Sequence, residues 1–249
     1  MGLTLDLNCD LGEGVGDDDA LLGLVSSANV ACGYHAGDDT TMRTVCEAAV
    51  VRGVAVGAHV SYLDPQGFGR RRVEVDGETL RRQVLDQIAV LDGHARAAGD
   101  RVRYVKPHGA LYHAAGQDEE HAAAVVGAVR DYGTGLAVMG LPGSLWLRWA
   151  EDEGLPVVHE AFADRAYAPD GTLVPRGRPD AVLDDPDEVA RRCVAMATGE
   201  PITDVNGDPL VVRPDSVCVH GDTPGAVEVA RRVRTRLEAA GVALVAFAR

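Results

Sequence analysis

Val30-Ala-Cys-Gly-Tyr-His35-Ala-Gly-Asp38-Asp-Thr-Thr41 is the stretch from which the fold is read. An apolar run stops at a glycine, a histidine and a carboxylate follow within five residues, and small polar residues then open a helix. A strand that ends at the rim of an α/β sheet and hands a side chain to the next loop has this form. Five other apolar runs repeat it. Asn8 and Asp10 close the run from Leu3, and His59 closes the run from Val54. Lys106 and His108 follow the run from Val102, Glu160 and Asp164 the run from Pro156, and His220 and Asp222 the run from Ser216. Helical spacing fills the intervals, as in Met42, Val45 and Ala49 before Gly53, or Leu80, Val84, Ile88 and Leu91. Asp185-Pro-Asp-Glu188 is a capping signature ahead of Val189, Cys193 and Met196, and Thr223-Pro224 opens a last helix with Ala226, Val229, Val233 and Leu237 inward.

Alternating strands and helices predict parallel strands joined by right-handed crossovers. A chain of 249 residues has the ordinary length of one (β/α) barrel. The expected fold is therefore α/β, a parallel (β/α) barrel forming one domain over residues 1–249. Leu3 to Asp10 alternates strictly, so Leu3, Leu5, Leu7 and Cys9 face covering helices while Thr4, Asp6, Asn8 and Asp10 face the lumen. Asp6 sits deepest there, where a carboxylate needs donors or a cation. The turn-rich loop Ser61 to Arg70 reads as a lid over the strand ends.

The net charge of −14 argues against nucleic acid or an anionic membrane as partner. The N-terminus has no cationic start before an apolar core, and no apolar run approaches the roughly 20 residues of a membrane span. Five cysteines, an odd number without a CxxC pair, read as small buried residues in a reducing compartment. A cytoplasmic protein is expected.

Strand C-termini of a parallel barrel emerge on one face, so the polar tips converge on one pocket. Histidines and carboxylates there provide acid–base chemistry near neutral pH, and a lysine stabilises a developing oxyanion or a phosphate oxygen. No GxSxG elbow, Walker loop or dinucleotide fingerprint is present. Asp10, His35, His59 and His108 are candidate ligands for a divalent metal, which the spacing alone leaves open. His94, His113, His121 and His159 do not follow strands and are assigned to surface or helix roles.

The chain resembles the LamB/YcsF family, which includes the A subunit of bacterial ATP-dependent 5-oxoprolinase. The matching stretches are Asp6-Leu-Asn-Cys-Asp-Leu-Gly-Glu13, Ser26 through Asp38, Gly57-Ala-His59, Phe68-Gly-Arg70, Val105-Lys-Pro-His-Gly-Ala-Leu-Tyr112, Glu160 through Arg165 with Leu173-Val-Pro-Arg176, and Val219-His-Gly-Asp222. The resemblance implies a seven-stranded barrel of the kind shared with polysaccharide deacetylases and some glycosidases. It also implies opening of the lactam of 5-oxo-L-proline to L-glutamate with ATP as cosubstrate, together with subunits B and C. On that basis Asp10, His35, His59, Lys106, His108 and His220 are the expected catalytic residues. Asp10 or His59 is the general base, and Lys106 with His108 steadies the oxyanion. Asn8, Glu13, Asp38, Glu160, Asp164 and Asp222 are expected to contact substrate, with Arg70, Arg165 or Arg176 gripping its carboxylate. Two alternatives stand beside this reading: a free-standing metal-dependent deacetylase or amidohydrolase, and a non-catalytic component that binds lactam and delivers it to partners.

Overall fold

The computed structural model describes residues 2–133, 135–222 and 225–248. The chain alternates β1 (Leu3–Leu11), α1 (Asp18–Leu22), β2 (Ser27–Ala31), α2 (Asp39–Arg52) and β3 (Ala55–Val60), then passes a 3₁₀ turn at Pro65–Gly67 into α3 (Gly77–Ala97). After β4 (Val102–Pro107) come two helices, α4 (Gly109–Ala115) and α5 (Glu119–Tyr132), and then β5 (Ala137–Gly140), α6 (Leu145–Asp152) and β6 (Val157–Phe162). A longer excursion leads to α7 (Pro186–Thr198) and a small antiparallel hairpin of β7 (Ile202–Thr203) and β8 (Pro209–Leu210). The order closes with β9 (Ser216–Val219), α8 (Ala226–Ala239) and β10 (Val242–Leu244).

Strands β1 to β6 and β9 pair side by side, all parallel, and β9 pairs back onto β1 with Asp6 opposite Ser216. Seven strands therefore close into a barrel, as the resemblance implied. The last strand, β10, joins the start of β1 with Val242 opposite Leu3.

Local chemistry explains the boundaries. Asp38 caps α2 by accepting from the Thr41 amide at 2.7 Å, and Gly53 ends that helix in the left-handed region at φ 68°. Asp185 caps α7, with Pro186 in the first turn. Helix α3 turns Leu80, Val84, Ile88 and Leu91 onto the barrel, each fully buried, and each such side chain contributes about 1.5–3 kcal/mol of burial. Thr223 and Pro224, expected to open the last helix, lie outside the described residues; α8 is described from Ala226, with Val229, Val233 and Leu237 buried.

The lumen is polar above an apolar floor. Tyr104, Ala137, Met139 and Val158 pack with Phe247 at the bottom. Gly57 makes room for this layer, since a Cβ there would lie 2.2 Å from the Tyr104 ring. Asp6 finds donors rather than a cation: Ser26 and Ser27 donate to Oδ1 at 2.7 and 2.6 Å, and Ser216 donates to Oδ2. Burial pushes Asp6 from 3.8 up to about 6 against these hydrogen bonds. The folded state thus holds the Asp6 proton more tightly than the unfolded chain, and the stability this contributes is present below pH 3.8 and lost as pH rises through about 6. Asparagine reproduces the protonated acid, so Asp6→Asn should gain on the native protein by up to roughly 3 kcal/mol between about pH 4 and 8. Paired denaturant titrations across that range check this; a constant difference contradicts it.

Among the described residues no helix is long and apolar enough to cross a membrane. All five cysteines are buried free thiols.

Candidate active site

Above the polar lumen, at the strand C-termini, a cavity of about 540 Å³ opens. Its floor carries Asp10 from β1, Glu13 from the following loop, His59 from β3, and Lys106 and His108 from the end of β4. His220 and Asp222 after β9, the strand paired with β1, line it next to Asp10, with Phe162 and Arg165 from β6 and its extension; Arg70, Arg176, Leu173 and Pro175 complete the lining.

Lys106 organises the floor. Only 2% exposed, its ammonium donates to Asp10 Oδ1 at 3.1 Å and lies 2.7 Å from Glu160 Oε1. The second contact is an ion pair outside hydrogen-bond geometry; Glu160 Oε2 accepts from the Tyr112 hydroxyl at 3.2 Å. Burial favours the neutral amine, but the carboxylate of Asp10, the Cys218 thiol and Glu160 more than offset it and hold Lys106 above its ordinary value. Asn29, secured by the Tyr104 hydroxyl at 2.6 Å, donates to both Asn8 and Asp10 at 2.7 Å. Against burial, His59 and Lys106 keep Asp10 well below the usual carboxylate range.

Three histidines meet beside this pair. His35 Nε2 lies 3.0 Å from Glu13 Oε1, and the His35 and His108 rings stack with centroids 3.9 Å apart. His59 Nδ1 donates to the Lys106 carbonyl at 3.1 Å, and His108 Nε2 donates to the Phe68 carbonyl at 2.9 Å. Burial and the proximity of His59 push His35 and His108 down to about 3, so both are neutral at physiological pH. Burial opposes charge on His59, but Asp10 raises it on balance. Burial and the charge of Asp10 raise Glu13. Ligand atoms of Glu13, His35, His59 and His108 all lie within 4.8 Å of one another, a donor group compatible with a metal ion.

After β9, Asp164 grips His220, both carboxylate oxygens lying 2.8–2.9 Å from Nδ1, while the His220 ring stacks on Phe162. A carboxylate can only accept here, so Nδ1 carries the proton and Nε2 is the ring's acceptor. Arg165 is 3% exposed, and its guanidinium donates to the carbonyls of Ala181 and Val174 at 3.2 and 2.6 Å. No carboxylate pairs with it among the described residues. Burial and neighbouring Arg176 push Arg165 below its ordinary value, and the two cations also help lower His113. Arg70, by contrast, donates to Asp222 at 2.5 Å and lies over the Phe68 ring.

The loop expected as a lid is fastened over the histidines. Arg71 pairs with Asp64, the Gly69 amide donates to the Asp64 carbonyl at 2.9 Å, and the Ala110 amide donates to the Gly69 carbonyl at 2.9 Å. Gly69 has φ +64°, and a Cβ there would meet Ser61, His108 and His35 at 2.4–2.8 Å.

The structure brings ten of the fifteen expected residues to the cavity and four more, Asn8, His35, Glu160 and Asp164, to contacts that support it. Three groupings need correction. Asp38 is exposed and does not border the cavity; its carboxylate is used as a helix cap. Asn8 and Glu160, both fully buried, lie below the cavity in the lumen network rather than on its surface. His35 is also covered, reaching the site through Glu13. His113 does border the cavity, from α4, although it follows no strand; Tyr112 and Gln117 join it. The strand-end pattern passes over Ser27 and Asn29, although alternation along Ser27-Ala-Asn-Val-Ala31 carries the signal that located Asn8 and Asp10.

The LamB/YcsF family profile matches residues 5–249. A 5-oxoprolinase A subunit from Streptomyces griseus subsp. griseus is 57% identical over 249 residues, covering 98% of this chain and all of that relative. A crystal structure of a lactam utilization protein from Thermus thermophilus is 42% identical with a TM-score of 0.94, covering 98% of this chain and all of that one. A family 4 carbohydrate esterase from Streptomyces lividans shares the fold at 13% identity and a TM-score of 0.52, over 97% of this chain and 91% of that one. The chain belongs to the LamB/YcsF family.

Proposed function

We propose that this chain is the A subunit of an ATP-dependent 5-oxoprolinase, which opens the lactam of 5-oxo-L-proline to L-glutamate together with subunits B and C. The observation that supports it most is one cavity lined by two unlike groups. Arg165 is a buried cation without a carboxylate partner among the described residues, beside Arg176. Asp10, His59 and Lys106 form an acid–base group in the same lining. A buried guanidinium is costly unless an anion meets it, and the carboxylate of 5-oxo-L-proline is such an anion.

With the carboxylate held at the arginines, the lactam carbonyl faces the floor and His220. Water adds to the carbonyl carbon, the C–N bond breaks, and the ring nitrogen leaves as the amine. His220, oriented by Asp164, takes the proton from water through Nε2 and returns it to the departing nitrogen. The Lys106 ammonium balances charge gathering on the carbonyl oxygen. A lactam is a poor electrophile, so ATP serves as cosubstrate by phosphorylating that oxygen and releasing ADP, a step this reading gives to the partner subunits; C–N cleavage then leaves the phosphoryl group on the new carboxyl as an acyl phosphate, and a second water displaces inorganic phosphate to give L-glutamate. The relatives' name, which makes them one lettered component of 5-oxoprolinase, supports a multi-subunit enzyme, and the buried free thiols suit a reducing cytoplasm.

Mixing the purified chain with subunits B and C, ATP and 5-oxo-L-proline, then omitting each component in turn, tests the assignment. Glutamate should form only in the complete mixture; glutamate formed without this chain contradicts it. Within that assay Arg176→Ala should raise KM for 5-oxo-L-proline roughly 10- to 100-fold with kcat nearly constant, the loss of one charge-assisted contact. An unchanged KM removes Arg176 from the carboxylate site.

A further inference from the structure

We propose that Glu13, His35, His59 and His108 form a binding site for one divalent transition-metal ion of the zinc class, open toward the cavity. The directions of the imidazole protons carry the inference. A backbone carbonyl only accepts, so the Lys106 carbonyl fixes the proton of neutral His59 on Nδ1, and the Phe68 carbonyl fixes that of neutral His108 on Nε2. Both remaining nitrogens, His59 Nε2 and His108 Nδ1, then present lone pairs to each other 3.0 Å apart. Two acceptors at that distance repel unless a cation lies between or beside them. Glu13 Oε1 points at the same place, 3.5 Å from His108 Nδ1, 3.8 Å from His59 Nε2 and 3.0 Å from His35 Nε2.

These separations suit a common ion. Ligands about 2.1 Å from a metal stand roughly 3.0–3.4 Å apart at neighbouring positions, so small side-chain shifts close the group. Imidazole nitrogens with one carboxylate oxygen select zinc, cobalt or a similar ion rather than calcium or magnesium, which take oxygen ligands. The supporting contacts are those of a metal site as well: ligating histidines characteristically donate their other N–H to a backbone carbonyl, as His59 and His108 do. Glu13, His59 and His108 border the cavity, so a bound ion has a position open to water or substrate. Asp10 stands outside the group, its Oδ1 engaged by Lys106 and Asn29. Its Oδ2, 3.5 Å from His59 Nε2, provides the competing arrangement, in which a proton on His59 relieves the repulsion and no metal is bound.

Metal content separates the two. The full chain, stripped with a chelator and dialysed against Co²⁺ or Zn²⁺, should retain about one equivalent, with visible Co²⁺ absorption of a nitrogen–oxygen site and no thiolate band. Metal at about 100 times Kd should raise the unfolding midpoint by roughly 5 °C or more. Glu13→Gln, which keeps the side chain's shape, and His35→Ala should each weaken binding about 100-fold, whereas His220→Asn should bind as the native chain does. No retained metal in the native chain overturns the proposal, as does Glu13→Gln binding with native affinity. Because the readout is metal rather than turnover, a negative result leaves the lactam assignment standing, and failure of that assignment leaves the metal site standing.

Discussion

Replacing Lys106 with methionine is expected to abolish turnover and to remove about 3–5 kcal/mol of folding stability at the same time. The ammonium is the counter-charge of two carboxylates: Asp10 at 3.1 Å and fully buried Glu160 at 2.7 Å. Methionine matches the stem but leaves buried Glu160 without a counter-charge and Asp10 with only Asn29 and His59, and a lone buried carboxylate is among the costliest defects a core can hold. From the sequence alone, alanine at Lys106 is expected to leave folding intact, because a lysine after a strand reads as a rim residue. Its position inside the lumen changes that expectation. Thermal unfolding of Lys106→Met, beside turnover with the partner subunits, measures both effects. The double variant Lys106→Met/Glu160→Gln separates them: stability should return in part, because one orphaned charge is gone, while turnover should not. A Lys106→Met protein of native stability would contradict the ion-pair network.

Asp164→Asn is expected to lower kcat roughly 100- to 10 000-fold, the range general acid–base catalysis supplies, with little change in KM. Both Asp164 oxygens lie within 2.9 Å of His220 Nδ1, and Asp164 is 4% exposed. The carboxylate fixes the tautomer that leaves Nε2 as the ring's acceptor, and on the proposed mechanism it would stabilise an imidazolium formed during turnover. Burial opposes ionisation of Asp164, but His220 and Arg176 hold it below its usual range, so its ionised form is favoured. Asparagine keeps the shape and removes the charge, which leaves folding nearly unchanged. His220→Asn should lose as much as Asp164→Asn, and the double variant no more than either, because the two act as one unit. Additive losses would show that Asp164 acts elsewhere.

Much of this was legible before the structure. Alternation along Leu3 to Asp10 placed Asp6, Asn8 and Asp10 inside because a strand repeats every two residues, and closure of the barrel made that face the lumen. Strand-end chemistry likewise found His59, Lys106, His108 and His220. The groupings that needed correction depend on three-dimensional contacts. Asp38 resembles a site residue because a helix cap and a catalytic acid both follow a strand. Glu13 sits in a loop with glycines at 12, 14 and 16, all at positive φ, where sequence gives no direction for a side chain. The pairing of Asp164 with His220 spans 56 positions. His113 reaches the cavity from a helix, outside any strand-end rule. That Arg165 is buried among carbonyls, while Arg70 has Asp222, depends on how the excursion after β6 folds back through Val174 and Ala181.

The central claim is that ring opening takes place in the cavity at the strand ends of this chain. Its most direct test is the rate of glutamate formation from 5-oxo-L-proline in the complete ATP-containing assembly, with His220→Asn in place of the native chain. A loss of about 1000-fold, with the variant folded and still assembling, is predicted. Glutamate formed at the native rate would place the chemistry outside this cavity.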